Sequence, residues 1–551
     1  MSKLIVAALV LCFSVISTCS NAQSSRSDYL QVQKINELIR EVWQDYDIRP
    51  SKDATEEEWC RRLYLDLLGR IPTHKELQKF VRSDHKDKER ELVNKLLFDD
   101  EYTEEYARNW TTIWANLLIG RTGGTGNNTL ISRPGMQKFL RDSFARNKPF
   151  DQFTSDLITA TGSTIPGAKD FNGATNYLID KINDDKASQA TSTTSRIFMG
   201  LQVQCTQCHN HPFNDWKQQK YWEMNAFFRQ TRSFRGGRMD TGQGARLADQ
   251  DFAGENEPRN LREPAIFYEL RNGEMRVAYP VFIDGTAIER SGYVKKVNRR
   301  QELARLVIDS TYFPKAIANR VWSHFLGYGF TIPVDDLGPH NPPSHPELLD
   351  YLGEQFRQSD FDYRKLISWI VLSKPYRLSS KLGKYNEVDD PLLGETPKFS
   401  RFYLRQMRAE ELYESLLVAN QASSGGDYEE KERQKNRWLQ QFSQAFGTDE
   451  GDETTTFNGT IPQVLMMFNG EMIRSATGDA KGSMIMELTE SNLSYQRKID
   501  YLFKAGLSRK PKRSESQMAR QFIQFYEGNE AEALRDVWWV ILNSNEFIFN
   551  H

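Results

Sequence analysis

The chain is poor in cysteine, balanced in charge and without an apolar run of membrane length. Each shortage removes a class of function. Five cysteines in 551 residues are no disulfide framework. With 72 Lys plus Arg against 74 Asp plus Glu, the net charge is −2, and no electrostatic field draws in nucleic acid or an acidic membrane. No basic run carries interleaved aromatics for base stacking, so nucleic acid is not expected as a partner. The apolar run Leu4 to Ile16 is too short to span a bilayer, and no transmembrane segment is expected after it. The glycine-rich stretch "GRTGGTGNNT" lacks the Gly-Lys-Ser/Thr ending of a phosphate-binding loop. No Gly-x-Ser-x-Gly elbow or His-Glu-x-x-His helix occurs either.

What is present begins at the N-terminus. Lys3, the run Leu4–Ile16 and the following "STCSNA" form a secretory signal over residues 1–22, cut after Ala22, so the protein is expected in the periplasm or at the cell surface. An alternative makes Cys19 a lipid anchor, since Ile16-Ser17-Thr18-Cys19 resembles a bacterial lipobox, although Thr18 stands where a smaller residue is usual. Cleavage removes Cys12 and Cys19 and leaves Cys60, Cys205 and Cys208. Cys60 lies in an apolar helical stripe and reads as a small core residue.

Helical periodicity dominates the rest. Leu30, Ile35, Leu38, Ile39, Val42 and Tyr46 repeat near 3.6 residues, and capping boxes start at Thr55 (with Glu58), Thr73 (with Glu76) and Ser344 (with Glu347). Further helices are expected at 88–98, 102–118, 135–147, 150–160, 188–204, 216–230, 298–309, 313–326, 345–357, 362–373, 405–420, 462–474, 495–505, 515–526 and 530–543. Around Asn272-Gly273 the pattern alternates as in a hairpin. The expected fold is mainly α. Two packed helical domains, 28–231 and 296–551, flank a linker at 232–295 that carries a small β-hairpin element.

The densest chemistry is "CTQCHNHPF", residues 205–213. Cys205, Cys208 and His209 form a C-x-x-C-H string. Two thiols at that spacing can add across the vinyl groups of one haem, and the adjoining imidazole can ligate its iron. Covalent attachment of this kind is made outside the cytoplasm, where the signal directs the chain. Two rival readings stay open. A zinc or copper ion could be held by Cys205, Cys208 and His209 or His211 with a distant histidine. Alternatively, the cysteines form a disulfide or a structural turn. The string ends one helix and precedes another, unlike a small cytochrome, so a sixth iron ligand must come from elsewhere: Met224, His324, His340 or His345. His211 is too close in sequence to reach the opposite face and reads as a turn residue.

A second dense segment, residues 319–356, holds His324, His340 and His345, together with Asp335 and Asp336. Adjacent carboxylates point opposite ways in extended chain and make a poor acid and base pair. The grouped histidines suggest that this segment faces a cavity.

Several long motifs carry a family resemblance. "CRRLYLDLLGRIPTHKEL", "YARNWTTIWANLL" and "RIFMGLQVQCTQCHNHPFNDWKQQKYWEMNAFF" resemble the DUF1549 domain, also called planctomycete cytochrome C domain 2. "FPKAIANRVWSHFLGYGFTIPVDDLGPHNPPSHPELLDYL", "RQMRAEELYESLL" and "ILNSNEFIFNH" resemble DUF1553. The family commonly has Asp-Tyr-Tyr where this chain has Lys220-Tyr221-Trp222. The resemblance implies a planctomycete or related bacterium, a co-encoded DUF1501-type exported protein as partner, and a link to polysaccharide degradation. The combined expectation is an exported haem c redox protein. The alternative is a metal-binding or disulfide-stabilised scaffold.

Overall fold

Local signals start most of the helices. Thr55 and Thr73 each accept the N–H of the residue three on (Glu58 and Glu76), whose carboxylate takes the threonine's own N–H. Each such cap is worth about 1 kcal/mol. Gly69, at φ +72°, stops the first of these helices in the left-handed conformation that glycine adopts without strain. The computed structural model describes residues 30–551 apart from 125, 127–128, 183–184, 240–241, 256–258, 422–427 and 447–482. The expected helix at 462–474 and the signal segment lie outside the described residues.

The chain is mainly α, as expected. Helix α1 spans 30–45. It is followed by α2 (Glu56–Leu68), α3 (His74–Val81), α4 (Lys88–Phe98), α5 (Asp100–Ile119), α6 (Arg133–Ala145), α7 (Phe150–Thr159), α8 (Ser188–Met199) and α9 (Gln218–Asn225). Beyond the β region come α10 (Arg299–Asp309), α11 (Tyr312–Leu326), α12 (Pro346–Gln358) and α13 (Tyr363–Val371), and further on α15 (Ala409–Ala419), after the single turn α14 (Lys374–Arg377). A first apolar core runs from Ile35 to Tyr403, drawing on both sides of the 232–295 segment. A second joins Leu65 and Ile71 of the N-terminal half to residues between Met407 and Ile548.

The β content is larger than the one expected hairpin. The hairpin is there, pairing Ile266–Glu269 with Met275–Ala278 around Gly273 at φ +81°. Before it, Thr231–Met239 and Gly242–Asp249 pair antiparallel, and the latter also pairs with Gly162–Ser163 in the N-terminal half. Glycine and arginine concealed these strands, and a register shift between Arg235 and Arg238 breaks their alternation. The helix expected at 405–420 starts only at Ala409, because Arg405–Gln406 pairs as a strand with Phe549–Asn550. Ser344 does not cap α12. His345 occupies the cap position without a side-chain bond to the helix, and the Ser344 hydroxyl is used by the His345 ring, 2.8 Å away.

A sealed polar cluster ties the C-terminal segment to α2. Asp66 has no exposure and accepts from Tyr376 Oη (2.7 Å), Asn550 Nδ2 (2.7 Å) and the Arg405 guanidinium. Burial nevertheless outweighs Arg405 and pushes the Asp66 carboxyl up to about 6. Arg62 donates to the carbonyls of Tyr376 and Leu378 and lies 3.6 Å from the centre of the Phe402 ring. Arg61 donates to the carbonyls of Gly506 and Phe547.

Candidate functional site

The C-x-x-C-H string is not the end of a long helix. Gly200, at φ +64°, closes α8 early, and the Leu201 N–H reaches back to the Ser195 carbonyl. The chain then makes a short 3-10 turn over Gln204–Gln207. The two residues between the cysteines are its anchors. Thr206 is buried and gives both its N–H (2.9 Å) and its hydroxyl (2.6 Å) to the Val203 carbonyl. The Gln207 carbonyl accepts from Gln218 Nε2 (3.0 Å) and Trp222 Nε1 (3.2 Å). With the turn held through Thr206 and Gln207, Cys205 is left half-buried and Cys208 exposed, both as free thiols.

His209 is half-exposed, and its Nδ1 lies 2.7 Å from the Asn210 carbonyl oxygen. A carbonyl can only accept, so Nδ1 carries the proton and Nε2 keeps a bare lone pair. Metal-ligating histidines are commonly fixed this way, with one ring nitrogen donating to a carbonyl and the other left for the ion. Burial, with a smaller push from Asp336, raises the Cys205 thiol above its ordinary range. This is not the lowered pKa of an activated cysteine nucleophile.

The structure brings His340 to this surface. Its ring centre lies 4.8 Å from that of His211. His340 Nε2 is 3.0 Å from Asp336 Oδ2, and its Nδ1 is 3.2 Å from Asn214 Nδ2. The carboxylate takes the Nε2 proton and the amide fills the Nδ1 lone pair, so both nitrogens are engaged. His211 Nδ1 accepts the Phe213 N–H at 3.2 Å, which leaves its proton on Nε2. Neither ring presents a lone pair to solvent. Burial, with His340 and His209 nearby, lowers the pKa of His211. Among the described residues, no group of three or more His, Cys, Asp or Glu is arranged to hold a metal ion.

His324 and His345 lie elsewhere. His324 packs against Trp110 (ring centres 5.0 Å apart), places Nε2 3.3 Å from the Asp66 carbonyl, and is kept neutral by burial. His345 sits against Phe399 and Phe330, and burial followed by Lys398 drives it down to about 3. Met224 is buried, as is Cys60, which was expected in the core. Of the three histidines in 319–356, His324 and His345 are packed among aromatic rings, and His340 lies against His211 and Phe213. A cavity among the described residues is lined by Phe139, Lys148, Asp156 and Asn172, away from these histidines in sequence.

Sequence reasoning missed the anchors. Thr206, Gln207, Asn214 and Gln202 carry no local signature, and Asp335 and Asp336 had been weighed only as an acid and base pair. Thr206 and the Gln207 carbonyl find their partners within 15 residues, whereas Gln202, Asn214 and Asp335 depend on partners more than a hundred residues away.

Fold and site together define a class: a mainly helical chain that offers a C-x-x-C-H turn to solvent where two halves meet. Residues 34–233 match the model of a protein of unknown function (DUF1549, PSCyt2), and residues 299–445 match that of a second protein of unknown function (DUF1553, PSD1). The chain belongs to the family that joins these two domains. No curated protein and no solved structure matches it.

Proposed function

We propose that the chain is an exported haem c redox protein of the periplasm or cell surface. The Cys205 and Cys208 thiols would each add S–H across a vinyl group to form a thioether, and His209 Nε2 would ligate the iron. The observation that carries this is the 2.7 Å contact of His209 Nδ1 with the Asn210 carbonyl, which assigns the proton to Nδ1 and leaves the Nε2 lone pair open one residue from Cys208, with neither Cys205 nor Cys208 in a disulfide. The donor set fits a haem. Bound haem would supply one-electron chemistry, and the Asn210 carbonyl holds the ligand ring in place for it. A zinc or copper ion at the same turn needs further donors, and both His211 and His340 have their lone pairs committed. The family setting makes a DUF1501-type exported protein the candidate partner and polysaccharide degradation the process served.

Mass spectrometry of the peptide spanning 205–209 tests the proposal, using protein matured in a host with haem-attachment machinery. A peptide carrying one haem through both cysteines is expected. An unmodified peptide, or one recovered only as the Cys205–Cys208 disulfide, overturns the reading.

A further inference from the structure

We propose that residues Asp335 to His340 form a clamp through which the second half of the chain positions the C-x-x-C-H turn. The inference rests on that turn being the working site, as proposed above.

One short segment grips the turn on both flanks. Upstream, Asp335 Oδ2 accepts from Arg196 Nη1 (2.9 Å) and Oδ1 from Gln202 Nε2 (2.9 Å), and the Leu337 N–H binds the Gly200 carbonyl at 2.6 Å. Downstream, His340 bridges Asp336 and Asn214, and Asn214 Oδ1 in turn takes the Trp216 N–H at 2.9 Å. The His211 N–H closes the loop onto the Trp216 carbonyl at 2.8 Å. Asp335 is 6% exposed and Asp336 8%, so these carboxylates act in a poorly screened setting. Between the grips lie residues 203–210, which contain both thiols and the ligand imidazole. The two "x" residues fix the turn to its own domain, while the clamp fixes its flanks to the other.

The test is competitive alkylation of the intact, haem-free chain with N-ethylmaleimide, read by mass spectrometry at Cys205, Cys208 and the core control Cys60. In H340A, Cys205 is expected to label roughly tenfold faster because the loop opens locally, with Cys60 unchanged. H340Q is expected to restore the slow rate, since its amide can donate to Asp336 and accept from Asn214. D335N, which keeps an oxygen for Gln202 but drops the charge facing Arg196, is expected to fall between them. Unchanged Cys205 labelling in both H340A and D335N overturns the clamp. So does acceleration of Cys205 and Cys60 together, which reports general loosening. Should H340A fail to fold, H340L removes the same two polar contacts while keeping apolar bulk beside His211 and Phe213, and decides the same question. The assay needs no haem, so a chain that never binds haem but still responds to H340A separates failure of the cofactor reading from failure of the clamp.

Discussion

Two histidine-bearing regions of this molecule use similar side chains to opposite ends. Around Asp66, the groups are sealed: Arg405, Tyr376 and Asn550 meet a carboxylate with no exposure, His324 lies against the Asp66 backbone carbonyl, and the cluster locks the C-terminal segment onto α2. Around Cys205, buried neighbours hold a turn whose reactive atoms stay available: two thiols outside any disulfide, Cys205 reaching only the Gln202 carbonyl at 4.0 Å, and one imidazole nitrogen. A density of histidine and charge along the sequence is therefore a poor guide to a site. What distinguishes the two regions is whether a lone pair or thiol remains uncommitted at the surface.

That contrast breaks most sharply at the cysteines. C205S or C208S should lower covalent haem to single-thioether or background levels in an in-gel haem stain. C208S, at an exposed position, should move unfolding stability by no more than about 0.5 kcal/mol. Next in size, D66A should cost about 3–5 kcal/mol in urea unfolding, because Arg405 loses its buried counter-charge and Tyr376 and Asn550 lose an acceptor. Haem content per folded molecule should not change. Haem loss from D66A at constant stability would erase the distinction between the regions.

A pH titration sharpens it further. His345 is held near 3, whereas an unfolded histidine titrates near 6.5, so the unfolded chain takes up this proton first as pH falls. Its contribution to stability is fully present above about 6.5 and is lost progressively down to about 3, at up to roughly 1.4 kcal/mol per pH unit. Buried His324, also lowered, acts in the same direction. Asp66 opposes them: raised to about 6, it favours the folded state below about 4, and that contribution is lost as pH rises through 6. Thermal melts of H345Q between pH 7 and 4 should therefore show a shallower acid decline than the parent, and an identical decline would contradict the burial argument. The smallest effect is expected at Phe213, which is 75% exposed: F213S should change stability by less than about 0.5 kcal/mol.

Much of the helical framework was legible because its signals are local. The boxes at Thr55 and Thr73, the stop at Gly69 and the Asn272-Gly273 hairpin each lie within a few residues of their partners. The short strand at Arg405–Gln406 was not, because its partner is Phe549–Asn550 at the far end of the chain. Neither was the pairing of Gly162–Ser163 with Arg246 and Leu247. At the site, the C-x-x-C-H string announced itself, but the early stop of α8 at Gly200 turned an expected helix end into a separate 3-10 turn. Of the four distant or neighbouring histidines singled out with His209, the fold brings His211 and His340 together and buries His324 and His345 apart from them. Periodicity gives which face of a helix is apolar. It gives no information on which loop from another domain will lie against it.

The central claim is tested most directly by a pyridine haemochrome spectrum of the purified protein after maturation in a bacterium equipped for haem attachment. The account predicts a thioether-type spectrum that survives acid-acetone extraction, at one haem per chain, and its loss in the C205S/C208S double variant. A colourless protein, or haem that extracts completely, would contradict it.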